Sequence, residues 1–177
     1  MSAPSRTGAA STPAKQLAAF IAKYDPRVAK LARAARGKLR KRFPTAVELV
    51  YDNYQFLAMG FSATERASDC IVALAVSPKG VALSFTYGAT LPDPQKLLLG
   101  GGNQNRFIRL ESAQTIGDRP VEALISAAFK QARTPLPSSG WGCTIIKSVS
   151  AKQRPRRPTQ KPPDKALQRT RPKTARR

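Results

Sequence analysis

The sequence predicts an α+β fold, an antiparallel β-sheet of about five strands flanked by N-terminal helices and a C-terminal helix, with disordered basic ends. Three observations carry this. Residues 13–42 place apolar side chains at helical spacing, residues 46–87 switch to short apolar runs separated by turn residues, and the positive charge gathers at the two ends. The implied organisation is a leader over residues 1–12, one α+β domain over 13–133, and a flexible Pro/Arg/Lys-rich tail over 134–177.

Thr12-Pro13 supplies a cap and a first-turn proline, after which Leu17, Phe20, Ile21 and Tyr24 fall on one helix face. Asp25-Pro26 repeats the start signal for a second helix. There Val28, Leu31, Ala32, Ala35 and Leu39 form an apolar arc, basic residues occupy the rest, and Phe43-Pro44 ends it. Gly37 lies on its solvent side at a cost of about 1 kcal/mol relative to Ala, so it is the point where the helix is open to fraying or breaking. The runs VELVYD, YQFLAMGF, CIVALAV and GVALSFTY then read as consecutive strands of a meander. Cys70–Val76 is apolar almost throughout, as in a central strand covered on both faces. Residues 94–99 read as one helical turn and FIRLE as an edge strand. After Asp118, Val121, Leu124, Ile125, Ala128 and Phe129 make the stripe of a closing helix. Beyond Arg133, proline and like charge rule out a core, so the chain is expected to stay unfolded until it meets a partner.

Composition narrows the chemistry. Lys and Arg number 31 against 10 Asp and Glu, for a formal charge of +21. Met1–Arg42 holds 11 basic residues and one acidic, Phe43–Ile146 eight of each, and Lys147–Arg177 twelve and one. Such ends attract nucleic acid or other polyanions. The chain has no histidine, which excludes histidine-based triads and imidazole zinc sites. Cys70 and Cys143 form no CxxC, and no secretory apolar run is present, which fits a reducing, cytoplasmic setting. The first 16 residues also share the acid-poor, Ser/Ala-rich composition of organelle transit peptides. No stretch approaches the roughly 18–20 apolar residues of a membrane span, so a soluble protein is expected.

The run LLLGGGNQNRFIRL is close to GxGxxG, but Asn105 stands where the third glycine belongs, and neither the preceding parallel strand nor a P-loop lysine is there. A turn using positive backbone angles at Gly100–Gly102 is the simpler reading. The same stretch, GATLPDPQKLLLGGGNQNRFIRL, with ELVYDNYQFLAMGF before it and VEALISAAFKQA after it, resembles the YdhG-like domain family, a domain of unknown function. The likeness spans roughly residues 30–132 and is most specific in the series Gly88, Leu91, Asp93, Pro94, Leu99, Gly100, Gly102 and Arg106. It implies an antiparallel sheet flanked by helices. Some family members carry a frataxin-like iron-chaperone label, but iron handling needs a dense carboxylate surface, and Asp25, Glu48, Asp52, Glu65 and Asp69 are sparse.

No catalytic constellation, metal site or cofactor is expected; Cys70 reads as an inert buried thiol. The chain reads as a non-enzymatic binding or accessory module. Its basic ends would attach non-specifically to nucleic acid, through Arg154, Arg156, Arg157, Lys161, Lys165, Arg169, Arg171 and Lys173, with the basic helix 26–43 as a second cationic surface. The alternative is a small-ligand or metal-handling domain with a pocket at Tyr51, Tyr54, Asp93, Gly100, Gly102 and Arg106. A structural role, in which Arg106 holds Asp93 and pins the LPDP loop, would explain the same residues.

Overall fold

The computed structural model describes residues 11–157. The expected disorder of residues 1–10 and 158–177 lies outside them. Helix α1 (Pro13–Ala22) starts as its sequence dictates, with the Thr12 hydroxyl accepting the Lys15 N–H; α2 (Pro26–Arg42) starts with the Asp25 carboxylate accepting the Arg27 N–H at 2.9 Å. It runs unbroken through Gly37, its weakest point in sequence, because packing on the sheet outweighs one poor helix former. Leu17, Ile21 and Tyr24, then Ala29, Ala32, Ala35 and Leu39, are buried. The three alanines let α2 lie close over the central strands.

The sheet comprises β1 (Val47–Asp52), β2 (Leu57–Ser62), β3 (Cys70–Ser77), β4 (Gly80–Phe85), β5 (Arg106–Leu110) and β6 (Thr144–Val149) in the order β5-β4-β3-β2-β1-β6. Its first four strands form the predicted antiparallel meander, and β5 joins β4 antiparallel at the border of the sheet, as expected of FIRLE. The sixth corrects the prediction twice: the sheet has six strands, and it is mixed, since β6 runs parallel to β1. Residues 144–149, assigned from the sequence to the tail, therefore form an edge strand, and the irregular segment after it stays tied to the sheet by the Ser150 N–H to the Asp52 carbonyl and the Arg154 N–H to the Tyr54 carbonyl. Helix α3 (Arg119–Lys130) follows β5 in the chain, and its Phe129 ring stacks on Phe43 at 3.9 Å between centroids. The predicted helical turn at 94–99 is absent; instead the Asp93 carboxylate accepts the N–H groups of Leu97 and Leu98, closing a loop around Lys96 in the left-handed region.

All three helices pack on one face of the sheet. Across that face Val50, Met59, Leu74, Leu83 and Ile108 lie in one cross-strand row, all buried. Among the described residues the opposite face carries no helix. The expectation that β3 is covered on both sides is thus corrected: Val72, Leu74 and Val76 are buried, while Ala73 and Ala75 on the other side are partly exposed. Alanine is apolar enough to mimic a doubly buried strand in sequence yet small enough to leave that face hollow.

Candidate functional site

Strand β1 sends Glu48 and Asp52 to the covered face, where both are fully buried. A lone buried carboxylate would be costly, and each is matched by two cations. Arg36 grips Glu48 through both oxygens at 2.6 and 2.7 Å, Arg40 reaches it at 3.3 Å, and the Thr144 hydroxyl donates to it at 2.7 Å. Asp52 accepts from Lys23 at 2.8 Å and Arg156 at 2.7 Å. These pairs tie α1, α2, β6 and the segment after β6 to one strand. They are structural bonds rather than an acid/base device, since each carboxylate is spent on its own cations. Among the described residues no three His, Cys, Asp or Glu side chains gather as a metal site. Of the other carboxylates considered for iron, Asp25 caps α2 and Asp69 accepts the Thr64 hydroxyl at 2.6 Å.

The pocket expected from the sequence does not assemble. Tyr51 sits on β1 and Tyr54 in the turn after it, whereas Arg106 begins β5; four strand spacings separate β1 from β5, about 19 Å. Burial pushes the Tyr51 hydroxyl above its ordinary pKa, with Cys70 adding to the shift. Arg106 does not pair with Asp93. Its guanidinium donates to the carbonyls of Gly102 and Asn105, the latter at 2.8 Å, so the glycine loop is closed on an arginine and turns carbonyl oxygens inward. A phosphate cradle needs the opposite polarity. Only Gly100 of the three glycines has a positive φ, 107°. Gly88 has a different reason to be glycine: a Cβ there would lie 2.6 Å from that of Arg106.

Arg154, Arg156 and Arg157 have three different fates. Arg156 is 5% exposed, bonded to Asp52 and the Asn53 carbonyl, with its guanidinium 5.4 Å from the Tyr24 ring centre. It is consumed in the fold, a correction to its assignment as a phosphate-binding group. Arg154 lies over the exposed Tyr54 ring at 5.7 Å, and Arg157 reaches the Ala22 carbonyl from the surface. Lys161, Lys165, Arg169, Arg171 and Lys173 lie outside the described residues.

Packing α2 on its alanine side turns Arg27, Lys30, Arg33, Lys38 and Lys41 outward along about 21 Å of helix. All five are exposed, α2 contains no acidic residue, and none of the five forms an ion pair among the described residues. Arg36 and Arg40, on the inner side, are the ones that hold Glu48, while Arg42 pairs with Glu122. The sequence marks this helix as basic; it cannot separate the cations committed to the core from those left to solvent, because that needs the position of β1 beneath it. Among the described residues no helix is long and apolar enough to cross a membrane. Comparison with protein-family profiles, with curated proteins and with solved structures finds no match.

Proposed function

We propose that this chain is a YdhG-like, non-enzymatic binding module of the cytoplasm that attaches to nucleic acid through its phosphate backbone. The outward cationic stripe of α2 is the observation that carries the reading. It adds a fixed, pre-ordered row of charges to the basic C-terminal residues; the helix carries no carboxylate of its own, and although Glu122 lies near Lys38 and Lys41, none of the five outward cations is ion-paired among the described residues. The family part of the proposal rests on the ordered motif from Gly88 to Arg106 and is compatible with a helix-flanked sheet. A backbone-reading surface of this kind gives attachment without sequence preference, because phosphates carry no sequence information.

The test is fluorescence anisotropy with a mixed-sequence DNA duplex across a salt series, comparing the full chain, the Arg33→Ala/Lys38→Ala variant, and a chain ending at Arg157. Removing one cation that neutralises a phosphate should flatten the slope of log affinity against log salt by about 0.9, so the double variant should flatten it by about 2. An unchanged slope in that variant would remove α2 from the interface. An unchanged slope in the shortened chain would remove the terminal residues.

A further inference from the structure

The sheet face that no described helix covers has a composition that water alone does not explain. An antiparallel sheet with one solvated side ordinarily presents polar residues there. Here the row Tyr51, Ala58, Ala75, Ala82, Arg109 crosses five strands, and the row beside it runs Leu49, Gly60, Ala73, Ser84, Phe107. In both, small side chains occupy the middle and large ones the ends. The result is a trough of about 590 Å³, inside the range of roughly 300–1,000 Å³ typical of small-molecule sites. From β2 to β5 it is three strand spacings long, about 14 Å.

Its charge is one-sided. Lys79, in the β3–β4 turn, and Arg109, on β5, both line the trough and are exposed. Among the described residues neither forms an ion pair, and no carboxylate lines the trough. Phe56 and Phe107 bound it at opposite ends, too far apart to stack one base, and the alanine floor between them offers no ring. A second copy pressed face to face would bring two sets of the same cations together.

We propose that this face binds an anionic amphiphile, its apolar body lying along the alanine floor and its carboxylate or phosphate head paired with Arg109 and Lys79. The site is on the far side of the sheet from α2, so it is separate from nucleic-acid attachment through that helix.

Isothermal titration of the full chain with dodecanoate, dodecyl phosphate and dodecyltrimethylammonium, all below micelle formation, tests it. Expected are one saturable site for either anion, binding of the cation at least tenfold weaker, and a loss of about tenfold in Arg109→Ala. Ala75→Leu, which fills the floor, should abolish anion binding while leaving the thermal midpoint and DNA affinity unchanged; Arg33→Ala should leave it intact. Equal binding of anion and cation, or wild-type anion binding in Ala75→Leu, would overturn the proposal. So would a dimer in the wild type that Ala75→Leu dissociates, which would assign the face to a second copy, or a fall in DNA affinity in that variant, which would assign it to nucleic acid.

Discussion

Replacing Arg156 by alanine decides whether the chain after β6 belongs to the fold. The side chain is 4% exposed, and its partner Asp52 is fully buried. Removing one member of a buried ion pair typically costs about 3–5 kcal/mol, because the other charge is left without compensation. Two features reduce that figure. Lys23 remains 2.8 Å from Asp52, and the Nε and Nη1 groups of Arg156 have no hydrogen-bond partner among the described residues, so their removal also relieves a penalty. The expected loss is about 2–3 kcal/mol, or roughly 5–10 °C in midpoint for a chain of this size. The assay is urea denaturation of the full chain followed by circular dichroism, with the exposed Arg157→Ala as the matched control, expected to lie within about 0.5 kcal/mol of wild type. A double-mutant cycle with Asp52→Asn should show a coupling of at least about 1 kcal/mol. If Arg156→Ala and Arg157→Ala unfold at the same urea concentration, the buried pair contributes nothing and the segment is a tail.

Three further outcomes follow from the same geometry. Glu48→Gln removes the negative charge that Arg36, Arg40 and the Thr144 hydroxyl share and replaces one of its two acceptor oxygens with an NH2 donor facing them; both guanidinium groups stay partly solvated, so chemical denaturation should report a loss of about 2–4 kcal/mol. Gly142→Ala drives a methyl into the Ala46 carbonyl, beside the bond from the Gly142 N–H to Pro44, and should be among the most destabilising single changes in the thermal midpoint. Iodoacetamide at pH 8, read by mass spectrometry, should label exposed Cys143 and spare Cys70. Burial pushes the Cys70 thiol up to about 11, its sulfur packing over Gly60, so almost no thiolate forms at pH 8. Because the folded value lies above the unfolded one, the corresponding stability is complete below pH 9 and is lost as pH rises toward 11.

The parts of the fold legible in the sequence are those set by local chemistry. Thr12-Pro13 and Asp25-Pro26 mark helix starts because a side-chain acceptor and a fixed φ act within one turn. The meander is legible because its turns are short. Strand β6 is not, although Thr144, Ile145, Ile146 and Val149 are β-branched and favour a strand. Its neighbours are Ser, Pro, Gly and Lys, and its place is fixed by β1, nearly a hundred residues earlier. The same blindness affects the site. Tyr51 and Arg106 look convergent along the chain, yet the sheet order puts them on opposite sides of three intervening strands, while Ala58, Ala75 and Ala82, which no motif marks, align in one row.

The two buried carboxylates also explain why the sequence's division into neutral centre and cationic ends is too simple. Glu48 and Asp52 belong to the centre, but their partners Lys23, Arg36, Arg40 and Arg156 come from the basic ends. Part of each end is therefore folded in by charge, two cations to each carboxylate, and the surplus is forced outward. On α2 the helical period does the sorting: Arg36 and Arg40 are one turn apart on the inner side, and Arg27, Lys30, Arg33, Lys38 and Lys41 fall on the outer side. The basic excess of this protein is thus divided by packing into a structural share that fastens helices to β1 and a surface share facing away from the open sheet. A mutation is sorted the same way: losing an inner cation should lower stability with the salt slope of DNA binding unchanged, and losing an outer one should do the reverse.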